Sequence, residues 1–242
     1  MLAELSADFY KGLAERQRAG EEIIIVHGGG PAINEQLVKA KITIEFDQGL
    51  RKTTGEVLAI VKDVLFEQMN KGIVKTLQQT GVEAVSLSGF KHACIQAELI
   101  DEARLGFVGA VTSVQTKIIE EILLKNAIPV IAPLGLTSCG REVNINADTV
   151  AASIAKALAA DEFIVVTDVD GVYIQKQKKA KLNEIEINQF IEQGEITGGM
   201  IPKVTGALNS LSDHLTCVRI VSGKEKLTLN SGTMIEKGTL VP

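Results

Sequence analysis

The stretch that decides the fold is Ile23-Ile24-Ile25-Val26-His27-Gly28-Gly29-Gly30-Pro31. Four β-favouring residues end in three consecutive glycines, and a helical pattern over residues 32–39 follows at once. A short continuous apolar run is typical of a buried parallel strand. Glycines after it let the backbone approach a ligand without a Cβ in the way. Because the N–H groups at the start of the next helix face this point, the stretch predicts an anion-binding turn.

A plain tight turn between strand and helix is the alternative, although such turns rarely need three adjacent glycines. The pattern is neither G-x-G-x-x-G nor G-x-x-x-x-G-K-[ST], so neither the Rossmann nor the Walker loop applies directly. Contact with a phosphate or a carboxylate is therefore the favoured interpretation of the glycine turn.

The composition narrows the class of protein. The 242 residues are 45% hydrophobic, which is enough for a large buried core. A net charge of −5, with 4% aromatic residues and no Trp, argues against nucleic acid as a partner. No apolar run reaches membrane-spanning length and no signal peptide is evident, so we expect a cytoplasmic protein without a membrane partner.

The cysteines and histidines are isolated from one another. Cys94, Cys139 and Cys217 form no C-x-x-C pair, which favours reduced, mostly buried cysteines. The three histidines are also scattered, so the sequence predicts no protein-bound metal site.

Strands that alternate with helices predict an α/β fold, a three-layer αβα sandwich with a mainly parallel central sheet. We expect a single domain over residues 1–242, with an N-lobe of about 1–145 and a C-lobe of about 146–242. The predicted strands are 23–26, 82–87, 93–100, 106–111, 128–132, 163–166, 218–221 and 233–235. The predicted helices include 2–18, 32–41, 57–69, one from Gly72, 114–125, one ending at Ala160, 187–193 and one ending at Leu211. Residues 43–54 and 135–141 are predicted loops, and 175–181 a surface hairpin or loop.

Four polar or glycine-rich stretches, at 27–30, 143–148, 167–173 and 198–203, are each expected at the carboxyl end of a strand. The carboxyl ends of strands are where open α/β sheets bind ligands, so these stretches are candidate site residues. Each has an ordinary alternative. The Asn and Asp residues of 143–148 can cap a helix, Asp168-Val169-Asp170-Gly171 can be a turn, and Lys203 can be a solvated lysine.

With these motifs in place, the chain resembles the amino acid kinase family. The matching pieces are HGGGP at 27–31, GLRKT at 49–53, LGFVG at 105–109, VNINAD at 143–148, TDVDGVY at 167–173 and GGMIPKV at 198–204. The resemblance implies transfer of the ATP γ-phosphoryl group to the side-chain carboxylate of N-acetyl-L-glutamate, the second step of arginine biosynthesis. Because that acceptor is already ionised at pH 7, the reaction needs positioning and charge neutralisation more than a strong base.

The resemblance also implies roles for particular residues. Gly29 and Gly30 would offer backbone N–H groups, Arg51 would pair with the substrate α-carboxylate, and Asn144 would hold the N-acetylated end. Lys203 would stabilise the transition state and Asp148 would orient Lys203. The nucleotide side would comprise Asp168, Val169, Gly171, Val172, Tyr173, Ile196 and Thr197. The cofactors implied are ATP and Mg²⁺, the ion being bound through the ATP phosphates.

Two departures from the family pattern stand out. Members begin with a lysine-bearing strand and a Gly-Gly-Ser turn, and here Met1-Leu2-Ala3 stands where that turn would end. The sequence therefore predicts a missing first strand, explained by a mis-assigned start or a fragment; a chain truly this short would have weak stability and little catalysis. The second departure is Gly89-Phe90-Lys91-His92, where relatives more often have an acidic residue after the glycine.

Other functions remain open at this stage. One is another enzyme of the same fold, acting on aspartate, glutamate, carbamate, aminoadipate or UMP. Another is a catalytically weak ligand-binding or regulatory homologue, suggested by the missing lysine strand. A dehydrogenase is disfavoured by the absent G-x-G-x-x-G. The family resemblance further implies a homodimer.

Overall fold

The computed structural model describes residues 5–213 and 215–238. The chain divides into two compact units. The first is Leu13–Ile154, and the second comprises residues 5–12 and 155–238 of the described chain. The assignment of substrate and nucleotide lobes stays a prediction. The expectations for residues 1–4, including the start of the first predicted helix, lie outside the described residues.

Helices and strands alternate along most of the described chain. The α-helices are α1 (Ala7–Arg18), α2 (Gly30–Lys39), α3 (Gly55–Lys62), α4 (Lys71–Gln79), α5 (Glu102–Leu105), α6 (Lys117–Leu123), α7 (Ala147–Ala157), α8 (Glu184–Glu192) and α9 (Met200–Ser210). The strands are β1 (Ile25–Val26), β2 (Phe46–Asp47), β3 (Leu50–Arg51), β4 (Ala84–Ser88), β5 (Ile95–Leu99), β6 (Gly109–Val114), β7 (Ile128–Ala132), β8 (Leu134–Thr137), β9 (Glu142–Asn144), β10 (Phe163–Thr167), β11 (Val172–Ile174), β12 (Gln177–Lys179), β13 (Lys181–Asn183), β14 (Cys217–Ser222) and β15 (Thr233–Glu236).

A parallel sheet of order β1-β7-β4 organises the first unit. Its central strand β7 is buried at every position, as its unbroken apolar sequence predicts. The prediction that 23–26 is a buried strand was wrong in detail. The strand comprises Ile25 and Val26, and both are half-buried, because β1 lies at the edge of this sheet and pairs with β7 alone among the described strands.

A second sheet of the first unit has the order β6-β5-β8-β9. The predicted loop 135–141 was wrong, since β8 covers its start and pairs with both β5 and β9. Gly135 suggested a loop, but its backbone packs closely instead. A Cβ there would lie 2.6 Å from Ile145 Cδ1 and 3.1 Å from Ala97 Cβ. The predicted loop 43–54 likewise contains a hairpin, β2–β3.

One continuous helical run extends from α3 to α4. Thr54 caps it, because its Oγ1 accepts a hydrogen bond from Val57 N at 3.3 Å, as expected for an N-cap threonine. The prediction of a separate helix from Gly72 was wrong. A π-helix over Asp63–Asn70 joins α3 to α4 without a break, and we call it the π segment. Val61, Val64 and Leu65 bury one side of the run in the core of this unit.

The second unit contains a mixed sheet of order β10-β14-β15-β13. Strands β10 and β14 are parallel, and β15 runs antiparallel to β14. Residues 175–181, predicted to be a surface hairpin or loop, contain the turn and the second strand of the β11–β12 hairpin, whose first strand lies before them. Asn183 and Glu186 form a reciprocal capping box at the start of α8. Val204, Val218 and Ile235 belong to the apolar core of this unit.

The predicted α/β class with parallel sheets is confirmed. Strand β10 is half-buried rather than buried as predicted, because it lies at the edge of its sheet. Within residues 5–213 and 215–238, no helix combines the length and the apolar character needed to cross a bilayer.

Candidate functional site

The glycine turn joins β1 to α2. Gly29 is the N-cap of α2 and carries no capping side chain, so the first N–H groups of the helix receive no side-chain acceptor from it. Gly29 and Gly30 differ in their surroundings. A Cβ on Gly29 would lie 2.6 Å from Leu65 Cδ2 and 2.7 Å from Met69 Sδ, whereas a Cβ on Gly30 would meet no atom within 4 Å. Gly30 therefore borders open space at a helix N-terminus, as an anion site requires.

Arg51 extends from β3 toward this turn. Its Nη2 donates to Asn34 Oδ1 at 2.6 Å and lies 3.5 Å from the carbonyl oxygen of Gly30. The Phe46 ring centroid is 4.7 Å from Arg51 Cζ. The side chain is buried, and burial lowers the pKa of the guanidinium. Its Nη1 is buried, and no residue that the structure describes is a hydrogen-bond partner of this atom. An unpaired guanidinium nitrogen is unusual, and an anionic ligand would satisfy it.

Asn144 ends β9 and is linked to Arg51 through Thr53. Asn144 Nδ2 donates to Thr53 Oγ1 at 3.2 Å, and Thr53 Oγ1 donates to the Arg51 carbonyl oxygen at 2.8 Å. Thr53 is fully buried and had not been predicted as a site residue. The structure thus brings together Gly30, Arg51 and Asn144 in the first unit.

Asp148 lies in the first turn of α7, in the same unit. The capping role considered for this stretch belongs to Asn146, whose Oδ1 accepts from Asp148 N at 2.8 Å and Thr149 N at 3.1 Å. Asp148 and Asn144 are therefore not needed as caps. Asp148 is exposed as a residue, yet partial burial of its carboxyl group raises its pKa. The predicted contact of Asp148 with Lys203 stays a prediction.

The second unit has a cavity of about 480 Å³. Six of the seven residues predicted for the nucleotide side line it: Asp168, Val169, Gly171, Tyr173, Ile196 and Thr197. Met200, from the candidate stretch 198–203, also lines it, as do Ser222, Lys224 and Glu225, which had not been predicted. The position of Ser222 and Lys224 at the end of strand β14 was the available signal.

Val172 does not line the cavity but is buried. Its N–H donates to Thr233 Oγ1 at 2.8 Å, and Thr233 Oγ1 donates to the carbonyl oxygen of Lys179 at 2.5 Å. Gly171 is required here, because its φ is +146° and a Cβ would lie 2.7 Å from Thr233 Oγ1. Thr233 therefore ties both strands of the β11–β12 hairpin, and with them the cavity lining, to β15.

Two lysine–aspartate ion pairs involve carboxylates that line this cavity, Lys203 with Asp168 and Lys178 with Asp170. Lys203 Nζ contacts Asp168 Oδ1, and that hydrogen bond lowers the pKa of Asp168. Burial opposes the shift at Asp170, but hydrogen bonds from Tyr173 and Lys178 lower its pKa overall. Tyr173 Oη donates to Asp170 Oδ2 at 2.9 Å. The cavity thus combines an apolar wall of Val169, Ile196 and Met200 with charged groups, a lining that suits a phosphorylated nucleotide.

Within the part of the chain that the structure describes, no group of three or more His, Cys, Asp or Glu side chains is placed to hold a metal ion. Two of the carboxylates that line the cavity, Asp168 and Asp170, are paired with lysines. These residues suit Mg²⁺ that takes most of its ligands from phosphates and water.

A parallel sheet with a glycine turn in the first unit, and in the second a cavity lined by an aspartate that pairs with a lysine, suit the class of α/β phosphotransferases. The amino acid kinase family model matches residues 5–222. The chain belongs to this family.

The relatives are similar over almost the whole chain. The acetylglutamate kinase of Shouchella clausii is 44% identical over 236 residues, covering 98% of this chain and 92% of the relative. The acetylglutamate kinase of Geobacillus kaustophilus is 44% identical over 240 residues, covering 98% and 93%. The crystal structure of smu.665 from Streptococcus mutans UA159 matches with a TM-score of 0.82 at 34% identity, covering 97% of this chain and 94% of that one.

Proposed function

We propose that this chain transfers the γ-phosphoryl group of ATP to the side-chain carboxylate of N-acetyl-L-glutamate, giving N-acetyl-L-glutamyl 5-phosphate for arginine biosynthesis. The observation that carries the proposal is the buried Arg51 with its unpaired Nη1 beside the glycine turn. The curated relatives, which are named acetylglutamate kinases, support the same activity.

The first unit would bind the amino-acid substrate. Arg51 would pair with the α-carboxylate through Nη1, since Nη2 is already bonded to Asn34. Asn144 would receive the N-acetylated end, while Thr53 holds its amide in place. The N–H groups of Gly29 and Gly30 would face the reacting carboxylate and the migrating phosphoryl group.

The second unit would bind ATP in the cavity lined by Asp168, Val169, Gly171, Tyr173, Ile196 and Thr197, with Val172 supporting the lining. Lys203 would neutralise charge on the phosphoryl group in the transition state, in a position set by its contact with Asp168. Asp148 would contribute to orienting Lys203. Mg²⁺, when bound through the ATP phosphates, supplies further charge neutralisation.

The experiment is ATP-dependent formation of an acyl phosphate, trapped with hydroxylamine as the hydroxamate. We expect product with N-acetyl-L-glutamate. With aspartate, glutamate, carbamate, aminoadipate or UMP, followed by ADP release because phosphorylated UMP forms no hydroxamate, kcat/KM should be at least about 100-fold lower, since none of them has the N-acetyl group that Asn144 would bind. A different preferred acceptor would favour another enzyme of the same fold. Binding of ATP and N-acetyl-L-glutamate by calorimetry without turnover would favour a ligand-binding homologue.

The proposal also includes a cytoplasmic location and a homodimeric assembly, both implied by the family resemblance. Light scattering coupled to size-exclusion chromatography tests the second point. A mass near twice the chain mass of 25.9 kDa is expected.

A further inference from the structure

The π segment lies against the glycine turn. Segments with i→i+5 hydrogen bonds are rare in proteins and are frequent at functional sites. Here the segment covers Asp63–Asn70 in the middle of an otherwise α-helical run. Its position next to the predicted anion site makes the π segment a candidate for a role at that site.

Three side chains of the π segment face the turn together. Leu65 and Met69 pack on Gly29, where a Cβ would approach them to 2.6 and 2.7 Å. Asn70 Nδ2 donates to His27 Nε2 at 3.0 Å. In an α-helix, five residues correspond to a rotation of about 140° from one face, so Leu65 and Asn70 would point in different directions. The i→i+5 geometry of the π segment is what lets both face the turn.

The amide of Asn70 is held at both ends. Its Nδ2 also donates to the Val130 carbonyl oxygen of β7 at 2.9 Å and lies 3.4 Å from the Leu87 carbonyl oxygen of β4. Its Oδ1 accepts a hydrogen bond from Ser86 Oγ. Asn70 is fully buried, so these bonds fix the direction of the amide and hence of the N–H that reaches His27.

His27 connects the amide of Asn70 to the glycine turn through hydrogen bonds at both ring nitrogens. Because an amide nitrogen only donates, Nε2 of His27 accepts and the ring proton is on Nδ1. Nδ1 then donates to the Gly28 carbonyl oxygen, 3.1 Å away. That carbonyl and the N–H of Gly29 belong to one planar peptide group. Fixing the Gly28 oxygen therefore fixes the direction in which the Gly29 N–H points.

We propose that His27 and Asn70, aligned by the π segment, are positioning residues that orient the Gly29 N–H group toward the migrating phosphoryl group. The role rests on the proposed function of the glycine turn. Neither side chain touches the substrate. They act by preorganising backbone donors, and preorganised donors contribute more to the transition state than to substrate binding.

The test compares Asn70→Leu, which keeps the number and branching of the side-chain heavy atoms but removes the amide nitrogen and oxygen, with the wild-type chain. We expect kcat to fall at least about tenfold, with the KM of each substrate within about twofold, because transition-state contacts are lost while ground-state contacts remain. His27→Leu should act similarly. His27→Asn retains a donor near the Nδ1 position and should recover part of the lost kcat.

Leu77→Ala is the matched control, since Leu77 is fully buried in α4 and belongs to the same helical run. It lowers the free energy of unfolding through a cavity and should leave kcat within about twofold.

The Gly29 and Gly30 amide resonances give a readout that is independent of turnover. In ¹H–¹⁵N spectra they should shift in Asn70→Leu and stay in place in Leu77→Ala. If they do not move, or if they move while an active wild type and Asn70→Leu share the same kcat, the positioning role is wrong. An inactive wild type would instead refute the proposed function, and shifted glycine resonances would still support the orienting role.

Discussion

Arg51 gives one terminal nitrogen, Nη2, to Asn34 at 2.6 Å and keeps the other, Nη1, buried and unpaired. This asymmetry predicts the effect of Arg51→Lys, because an ammonium group cannot bond Asn34 and a carboxylate in the same fork geometry. We expect the KM for N-acetyl-L-glutamate to rise about 10- to 100-fold, in line with the loss of a charged hydrogen bond, and the KM for ATP to change less than about twofold. Steady-state kinetics with each substrate varied measures both.

Arg104→Lys is the control for this prediction, since Arg104 is an exposed arginine of the same unit that pairs with Asp47 and Asp101. Its KM values should match those of the wild type. Equal KM values in Arg51→Lys and wild type would contradict the assignment of Arg51 to substrate binding.

The two neighbouring glycines predict opposite outcomes. Gly30→Ala places a methyl group in open space at the start of α2, so the unfolding free energy should stay within about 1 kcal/mol or rise slightly. Activity should nevertheless fall at least about tenfold, equivalent to about 1.4 kcal/mol, because the methyl group occupies ligand space. Gly29→Ala should instead destabilise the fold by about 1–3 kcal/mol, since it collides with Leu65 and Met69. Urea unfolding and kinetics on both variants separate the two effects, and a fully active Gly30→Ala would speak against ligand contact there.

Substitutions of Lys203 and Asp168 are expected to lower kcat to different extents. Lys203→Met should lower kcat about 100-fold or more, as removal of a transition-state donor does. Asp168→Asn keeps the lysine but removes its charged partner, so a smaller loss of about tenfold is expected. Lys237→Met disrupts another lysine–aspartate pair of the same unit, with Asp213, and should leave kcat unchanged. A wild-type kcat in Lys203→Met would remove this residue from the mechanism.

The burial of His27 predicts a pH dependence of stability. Its pKa is lowered from 6.5 to about 4, first by burial and against the hydrogen bond to Gly28. Between pH 4 and 6.5, His27 is protonated in the unfolded chain and neutral in the folded protein. The stability that the neutral ring contributes is therefore complete above pH 6.5 and is lost as the pH falls toward 4. Between pH 7.5 and 5 the loss amounts to about 2 kcal/mol. Urea unfolding of wild type and His27→Asn at both values measures it, and the variant should lack this part of the dependence. Identical pH dependence in the two proteins would contradict a neutral buried His27.

Much of the fold followed from sequence patterns. Apolar runs located β7 at Ile128–Ala132 and β10 within a residue. The failures have physical causes. Gly135 serves close packing between Ile145 and Ala97 rather than a turn, and a sequence does not distinguish these uses. The π segment has no distinct periodicity over eight residues, so two helices were predicted where one run exists.

The candidate site residues that lie within recognisable sequence motifs were predictable. Gly30, Arg51 and Asn144 come together in the first unit, and most of the predicted nucleotide residues line the cavity of the second. What could not be predicted are partners distant in sequence. Thr53, which bonds the Arg51 carbonyl, also bonds Asn144, 91 residues further along the chain. Asp168 contacts Lys203, 35 residues further along. Such contacts depend on the path of the chain and not on local spacing.

The bonds of Thr233 also have a consequence for the order of events during synthesis. Thr233 accepts from Val172 and donates to Lys179, respectively 61 and 54 residues earlier in the chain. Until Thr233 has left the ribosome, the β11–β12 hairpin of the nascent chain cannot form these two hydrogen bonds. Because translation proceeds from the N-terminus, the cavity of the second unit matures only when β15 emerges, whereas every residue of the glycine turn and its supports in the first unit has by then been made. The half that would accept the phosphoryl group is thus available to fold before the half that would supply it.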